Sequence, residues 1–203
     1  MYADVHPIDC TCQHVSVSGS GQGHACGQRE DARGLHGLLC GRGGWIVQRH
    51  NKLRDTLASI IESISPHPVH MEPHSDNIND DKHPDILYFD QHGDRVWVDV
   101  TVITPTMRAV RGSKVRSERP GAIVAAAETR KRNKYPELKL VPFAVDVYGR
   151  PGDSSIALIR SLCPELEGSA RSVWIQRKWR AIQTAVVRGT VQCLAKAAAL
   201  LPP

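Results

Sequence analysis

Four of the six cysteines in this 203-residue chain lie within its first forty residues, and histidines are interspersed among them. Residues 1–44 are otherwise rich in glycine and show no sustained apolar periodicity, so burial of aliphatic side chains cannot hold this segment together alone. A secreted disulfide domain is usually shorter and denser in cysteine. The mixture of cysteine and histidine therefore predicts a metal-stabilised segment in a reducing, intracellular compartment.

Residues 45–203 have the size of one ordinary domain. Across the whole chain, an apolar fraction of 41% and a charged fraction of 23% permit a sizeable core and argue against global disorder. No stretch approaches the roughly 20 apolar residues that a membrane-spanning helix needs, so we expect no membrane partner. The first twelve residues lack the pattern of a secretion signal. The net charge of +5 permits a polyanionic partner without requiring one.

Hydrophobic periodicity predicts an α/β fold. The predicted elements are a helix at 46–64, strands at 86–89 and 95–103 joined by a turn, a helix at 122–134, a strand at 138–148, a short helix to about 161 and a long helix at 172–200. Gly189 marks a candidate break in the last helix. Because the third strand arrives by a helical crossover, it can lie parallel to a neighbour in the same sheet.

Two aspartates mark the first two predicted strands. Asp85 begins the first strand, and Asp99 lies within the valine-rich second strand, where a buried carboxylate is costly without a cation or donor. Carboxylates on adjacent strands can meet at one edge and hold a divalent ion. A Mg²⁺ ion held there can activate water and stabilise the charge that develops on a phosphate under attack. The alternative to a metal site is that Asp85 only begins the strand and that Asp99 is an ion-paired acid of the core.

Three further residues can join these aspartates. Lys131 and Lys134 lie three residues apart on one predicted helix and share a face, so one of them can point at the carboxylates. Glu72, in Met71-Glu72-Pro73, can add a third acid. The alternatives are a solvated basic helix face for the lysines and a surface loop carboxylate for Glu72.

The order of these residues resembles the restriction-like endonuclease domain of non-LTR retrotransposon proteins, a branch of the PD-(D/E)xK nuclease superfamily. The similarity covers about residues 24–195. It differs at His83, because the family has Lys or Arg before Pro-Asp. The motifs that carry the resemblance are His83-Pro84-Asp85, Asp99-Val100-Thr101 after thirteen residues, Lys131-Arg132-Asn133-Lys134-Tyr135, Arg49-His50-Asn51, Glu72-Pro73 and the helix from Gln176 to Gly189.

The resemblance implies a restriction-endonuclease-like core and a metal-dependent DNA endonuclease that nicks by phosphodiester hydrolysis. It implies Mg²⁺ or Mn²⁺ on Asp85 and Asp99, with Glu72 as a further acid, Lys131 as the assisting lysine and Lys134 as the second choice. In the family such a nick primes reverse transcription. Because this chain contains no polymerase region, we expect it to be part of, or derived from, a longer reverse-transcriptase polyprotein. We expect a nuclear location and DNA as partner, with RNA left open.

The family also carries a Cys/His cluster before the Arg-His-Asn helix. Here His24-Ala25-Cys26-Gly27 and the stretch from His36 to Cys40 match it, with His24 in place of the first cysteine. Two nitrogen and two sulfur ligands suit tetrahedral zinc. A competing set can replace His24, bind a second ion or take no part, and its members are Cys10, Cys12 and His14.

Basic residues are candidates for contacts with a polyanion. A basic, turn-rich stretch at 104–120 can contact phosphates, and such binding would fall steeply with salt. The alternative is a solvated loop. The predicted nucleic-acid contacts are Arg49, Arg108, Arg111, Lys114 and Arg116. Two other functions stay open: an inactive nucleic-acid-binding module that retains the nuclease fold and zinc segment, and a zinc-stapled interaction domain without nucleic acid.

Overall fold

The computed structural model describes residues 11–17, 23–29, 34–73, 83–104 and 121–198. Within these ranges the chain forms a four-stranded mixed sheet, a two-stranded hairpin near the N-terminus and five α-helices. The elements are β1 (Val15–Val17), β2 (Gly23–Ala25), α1 (Leu35–Leu39), α2 (Trp45–Glu62), β3 (His70–Met71), β4 (Ile86–Phe89), β5 (Arg95–Ile103), α3 (Ala122–Lys134), β6 (Leu140–Asp146), α4 (Asp153–Ser161) and α5 (Gly168–Ala197).

The four-stranded sheet has the order β3-β4-β5-β6. Strands β4 and β5 form an antiparallel hairpin in which Ile86 pairs with Val98. Strand β6 is parallel to β5 and places Pro142 opposite Asp99. A parallel neighbour requires a crossover, which α3 provides here. The predicted α/β class is thus confirmed as a mixed sheet with helices, and the third strand is parallel to its neighbour as expected.

The main core lies between the sheet and helices α2 and α5. Helix α2 buries Leu53, Leu57 and Ile61, whose spacing of four residues follows one helical stripe. Helix α5 contributes Ile182 and Val186 to the same core. The sheet contributes the fully buried side chains of Ile86, Val98, Val100, Phe143 and Val145. This packing fixes α2 beside the hairpin that carries the two aspartates.

Helix α5 runs without interruption from Gly168 to Ala197, so the candidate break at Gly189 is wrong. A Cβ atom added at Gly189 would lie 2.7 Å from Cγ and 3.1 Å from Cα of Arg49. Glycine at this position therefore serves the close approach of α2 and α5 and does not end the helix.

The N-terminal segment packs against the end of α5. The backbone N–H of Gln13 donates to the carbonyl of Ala197 at 2.9 Å. The buried His14 ring places Nε2 2.9 Å from the carbonyl oxygen of Cys193. These contacts attach the cysteine-rich segment to the long helix. In the part of the chain that the structure describes, no helix is long and apolar enough to cross a membrane.

Candidate functional site

The β4–β5 hairpin brings Asp85 and Asp99 together. Asp85 directly precedes β4, and its backbone N–H donates to the carbonyl of Val98 at 3.0 Å, which places it beside Asp99 in the ladder. Its Oδ2 accepts a hydrogen bond from the N–H of Val100 at 2.6 Å. The carboxyl groups of the two aspartates are close enough for each to shift the pKa of the other. The antiparallel register therefore creates a pair of acids at one position of the sheet.

Helix α3 supplies a cation to this pair. The Nζ atom of Lys131 lies 2.8 Å from Oδ2 of Asp99, whose side chain is 3% exposed. One turn later, the hydroxyl of buried Tyr135 donates to the carbonyl of His83 at 3.0 Å, which ties α3 to the residues just before Asp85. Lys134 is exposed, and its Nζ lies 4.6 Å from the centroid of the Tyr135 ring. The structure thus brings Lys131 to the acids and leaves Lys134 away from them.

Helix α2 contributes a residue that the sequence interpretation did not assign to the site. His50 places Nε2 3.0 Å from Oδ1 of Asp85. Both oxygens of Asp85 are therefore engaged, one by His50 and one by the amide of Val100. The sequence contained a signal for this residue, since His50 is the centre of the Arg-His-Asn motif. Its contact with Asp85 depends on the packing of α2 against the sheet.

The two acids have opposite pKa shifts. Burial alone would raise the pKa of Asp85, but hydrogen bonds from His50 and from the amide of Val100, together with its contact with Asp99, hold it below the usual range. Burial and the neighbouring carboxyl of Asp85 raise the pKa of Asp99 to about 6, although Lys131 opposes this shift. The pair thus combines one carboxylate with one acid that ionises near neutral pH, and added positive charge would favour its doubly ionised form.

The third predicted acid does not join this pair. Glu72 follows β3, and its backbone N–H donates to the carbonyl of Asp85 at 2.9 Å. Its side chain is 65% exposed and forms an ion pair with Arg54. The prediction of Glu72 as a third acid is therefore corrected in this structure, because Arg54 on α2 holds its carboxylate.

Carboxylate oxygens are the ligands that suit Mg²⁺ or Mn²⁺. Asp85 and Asp99 supply two such groups, side by side, and burial together with the carboxyl of Asp85 raises the pKa of Asp99. Within the described ranges, no third carboxylate completes a cluster with them. Two carboxyl groups are donors of the type that a hard divalent ion takes, with its other ligands from water or phosphate.

A second cluster lies in the N-terminal segment. One ligand atom from each of Cys12, Cys26, His36 and Cys40 lies within 4.8 Å of the other three. The Sγ of Cys26 is 3.3 Å from Nε2 of His36. Three sulfur donors and one nitrogen donor are a set that zinc binds tetrahedrally. The cluster could therefore hold a metal ion and is compatible with zinc.

This cluster corrects the predicted ligand set at one position. Cys12 stands where the sequence interpretation placed His24, whose side chain lies outside the described residues. The reason is that backbone pairing continues beyond the β1–β2 hairpin. The N–H of Cys12 donates to the carbonyl oxygen of Gln28 at 2.8 Å, and the N–H of Gly27 donates to the carbonyl oxygen of Cys12 at 3.0 Å. These bonds place Cys12 alongside Cys26. Cys10 lies outside the described residues.

The cysteines of this cluster differ in acidity. Burial raises the pKa of Cys12 to about 12 and also raises the pKa of Cys40. The backbone amide of Gln28 and the ring of His36 instead lower the pKa of Cys26 to about 7. Since a thiolate is the form that binds metal, Cys26 is the cysteine of the cluster most ready to bind.

The predicted nucleic-acid contacts are only partly described. Arg49 is 2% exposed, and its guanidinium donates to the carbonyl of Leu38 at 3.3 Å. Burial also lowers its pKa. The prediction that Arg49 contacts a nucleic acid is therefore wrong, because this side chain of α2 is buried against α1 and α5. The other predicted contacts lie outside the described residues, and they are Arg108, Arg111, Lys114 and Arg116.

The sequence matches no protein-family model and no curated protein.

Proposed function

We propose that this protein is a metal-dependent DNA endonuclease that nicks by phosphodiester hydrolysis. The observation that supports it is the grouping of Asp85, Asp99 and Lys131, two carboxyl groups from adjacent strands and an ammonium group from the crossover helix. The order α2, β4–β5 hairpin, α3, parallel β6, α4 and α5 is consistent with a restriction-endonuclease-like core. We therefore also propose a restriction-endonuclease-like core for residues 45–203.

In this proposal Asp85 and Asp99 would hold Mg²⁺ or Mn²⁺. The bound ion would supply an activated water and stabilise the charge that develops on the phosphate. His50 and the amide of Val100 fix both oxygens of Asp85, so this ligand is oriented before any metal arrives. Asp99 is buried in β5 and has little freedom to turn away.

Lys131 would provide the positive charge nearest to the reacting phosphate. Its Nζ lies 2.8 Å from Oδ2 of Asp99, and the Lys131 side chain is 24% exposed. From that position it can donate a hydrogen bond to a water molecule or to a phosphate oxygen. Tyr135 keeps α3 against the loop before Asp85 and so positions Lys131.

The N-terminal cluster has a structural role in the proposal. Zinc on Cys12, Cys26, His36 and Cys40 would join the β1–β2 hairpin to α1, two short elements that lie apart in the sequence. We also propose, on the sequence resemblance alone, a retroelement origin, a nuclear location and membership of a longer reverse-transcriptase polyprotein.

A second candidate is a nucleic-acid-binding module without cleavage activity. The observation that favours it is that both acids already have partners within the chain, Asp85 with His50 and Asp99 with Lys131. The carboxylate of Glu72 is also held elsewhere, by Arg54. Such a site can be stable without a metal ion, as a structural ion-pair network would be.

A nicking assay separates the two candidates. Purified protein is incubated with supercoiled plasmid and Mg²⁺ or Mn²⁺, and nicked circles are quantified for wild type, Asp85→Asn and Asp99→Asn. We expect each variant to lose at least about 100-fold in rate. Asp94→Asn is the matched control, because Asp94 is an exposed acid of the same hairpin and pairs only with Lys139 among the described residues. Equal activity in all four proteins would refute the endonuclease, and salt-sensitive binding without nicking would favour the module.

A further inference from the structure

A groove of about 710 Å³ runs between α2 and α5, away from the acid pair. Its walls carry four basic side chains and one acidic side chain, Asp55. The carboxylate of Asp55 forms an ion pair at 2.9 Å with Arg54, a residue outside the groove that also pairs with Glu72, and the groove keeps an excess of three positive charges over this one acid. The four cations are Lys52, Arg177, Arg180 and Arg188.

The three arginines of this groove have no carboxylate partner among the described residues, and all three are exposed. They recur on one side of α5 at positions 177, 180 and 188, with Thr184 between them. At a rise of 1.5 Å per residue they extend over about 16 Å of the helix. An unpaired row of arginines repels itself unless an anion lies along it.

We propose that this helical groove binds the phosphate backbone of a nucleic-acid duplex, an inference that rests on the proposed function and gives it a second contact surface. A duplex carries one phosphate per about 3.4 Å of axis on each strand, so about 16 Å of helix faces several phosphates. Arginine guanidinium groups bind phosphate oxygens in a bidentate manner. The small side chains of Ala181 and Ala185 keep the floor of the groove low enough for a backbone to approach.

The groove lies on the opposite side of α2 from the acids. His50 contacts Asp85, whereas Lys52, two residues and about 200° further around the helix, lines the groove. The groove therefore holds the duplex at a distance from the scissile phosphate. Its loss should weaken binding without changing the rate of cleavage at saturating DNA.

The lining of the groove favours a duplex backbone over other anions. None of the described residues that line it is aromatic, so they offer no surface on which single-stranded bases could stack. Among the described residues that line the groove, none has a large apolar side chain of the kind that forms an anchoring pocket for an acidic protein partner. A row of spaced positive charges suits the evenly spaced phosphates of a duplex. Because it contacts phosphates and no base edges, we expect binding that is independent of the base sequence.

The test is fluorescence anisotropy with a labelled 30-base-pair duplex in EDTA, so that binding is measured without cleavage. Wild type is compared with Arg180→Gln/Arg188→Gln and with the matched control Arg95→Gln/Arg160→Gln, which removes two exposed arginines outside the groove. At about 0.1 M salt we expect the groove variant to bind at least about tenfold more weakly. The slope of the logarithm of the association constant against the logarithm of the salt concentration is negative, and its magnitude should decrease by about 2, because two phosphate contacts are lost. The control should change the slope by less than about 0.5.

Each outcome bears on the groove separately from the active site. A groove variant that matches the control in affinity and slope overturns the proposal, as does a wild-type protein that binds no duplex at 50 mM salt. Tighter binding of a polyglutamate peptide than of the duplex, lost in the groove variant, would assign the surface to an acidic protein and also overturn it. If the groove variant loses affinity while wild type nicks no plasmid, the groove stands and the endonuclease falls. If wild type nicks plasmid normally and the groove variant keeps the salt slope of wild type, the endonuclease stands and the groove falls.

Discussion

The ammonium nitrogen of Lys131 lies 2.8 Å from Oδ2 of Asp99, so a residue of the crossover helix neutralises a carboxylate buried in the adjacent strand. Asp99 itself contacts Asp85, which His50 approaches from α2. Two helices therefore converge on the pair of acids that the β4–β5 hairpin carries.

Replacement of Lys131 by methionine should lower the nicking rate by about 100-fold, because the acid pair loses its only cation from α3 among the described residues. Lys134→Met should stay within about threefold of wild type, since Lys134 is exposed and lies over Tyr135. Plasmid nicking by the two variants under identical conditions provides the comparison. Equal losses would show that the position of Lys131 in this structure has no special importance.

Asp99 should make stability depend on pH in the metal-free protein. Burial and Asp85 raise its pKa from 3.8 to about 6, so the folded state keeps this proton to a higher pH than the unfolded chain does. This contribution favours folding below about pH 4 and is lost as the pH rises through about 6. Between pH 4 and pH 7, wild type should lose up to about 3 kcal/mol more stability than Asp99→Asn. Urea unfolding in EDTA at several pH values measures the difference, and parallel curves for the two proteins would contradict it.

His50 should act by positioning Asp85. His50→Ala should reduce nicking by about 10- to 100-fold with little change in Tm, because the orienting contact to Oδ1 is lost while the core is untouched. His50→Gln keeps a donor and should recover part of the rate. His92→Ala, in the exposed hairpin turn, is the control. A glutamine variant no better than alanine would argue against a role through this hydrogen bond.

Cys12 should be required for metal binding. Purified wild type should contain about one zinc per chain, and Cys12→Ser should lose it as fully as Cys26→Ser does, since both sulfurs belong to one cluster. Cys163→Ser, which lies outside the cluster, should keep its zinc. Elemental analysis of the three variants and of His24→Ala decides between Cys12 and His24. Zinc retained in Cys12→Ser but lost in His24→Ala would restore the ligand set predicted from the sequence.

Gly189→Ala should destabilise the protein although alanine is the better helix former. Helix propensity alone would favour the substitution by about 1 kcal/mol. The new Cβ would lie 2.7 Å from Cγ and 3.1 Å from Cα of Arg49, so α2 and α5 must move apart at a cost of about 1–3 kcal/mol. Gly41→Ala, with no atom within 4 Å of its Cβ, is the control. Thermal unfolding of both variants tests the sign, and a Tm above that of wild type for Gly189→Ala would refute the close contact.

The sequence predicted the elements of the domain more closely than it predicted their contacts. The spacing of apolar residues predicted the ends of α2, β4 and β5 to within two residues, because apolar residues recur with a different period in helices and in strands. The break predicted at Gly189 is absent, since a glycine that permits helix packing and one that ends a helix look the same in one dimension. The sequence also paired His36 with Cys40, which lie four residues apart on either side of one helical turn.

The features that followed from the chain alone were therefore local: the periodicity of the elements, the charged residues placed within apolar strands and the residue types that can bind metal. The partners of these residues depended on the fold. The fold pairs Lys131 with Asp99 and Glu72 with Arg54. It also places Cys12 in the metal cluster and buries Arg49 against Gly189. The physical reason is that side chains distant in the chain become neighbours through sheet register and helix packing, and many registers are compatible with the same local pattern.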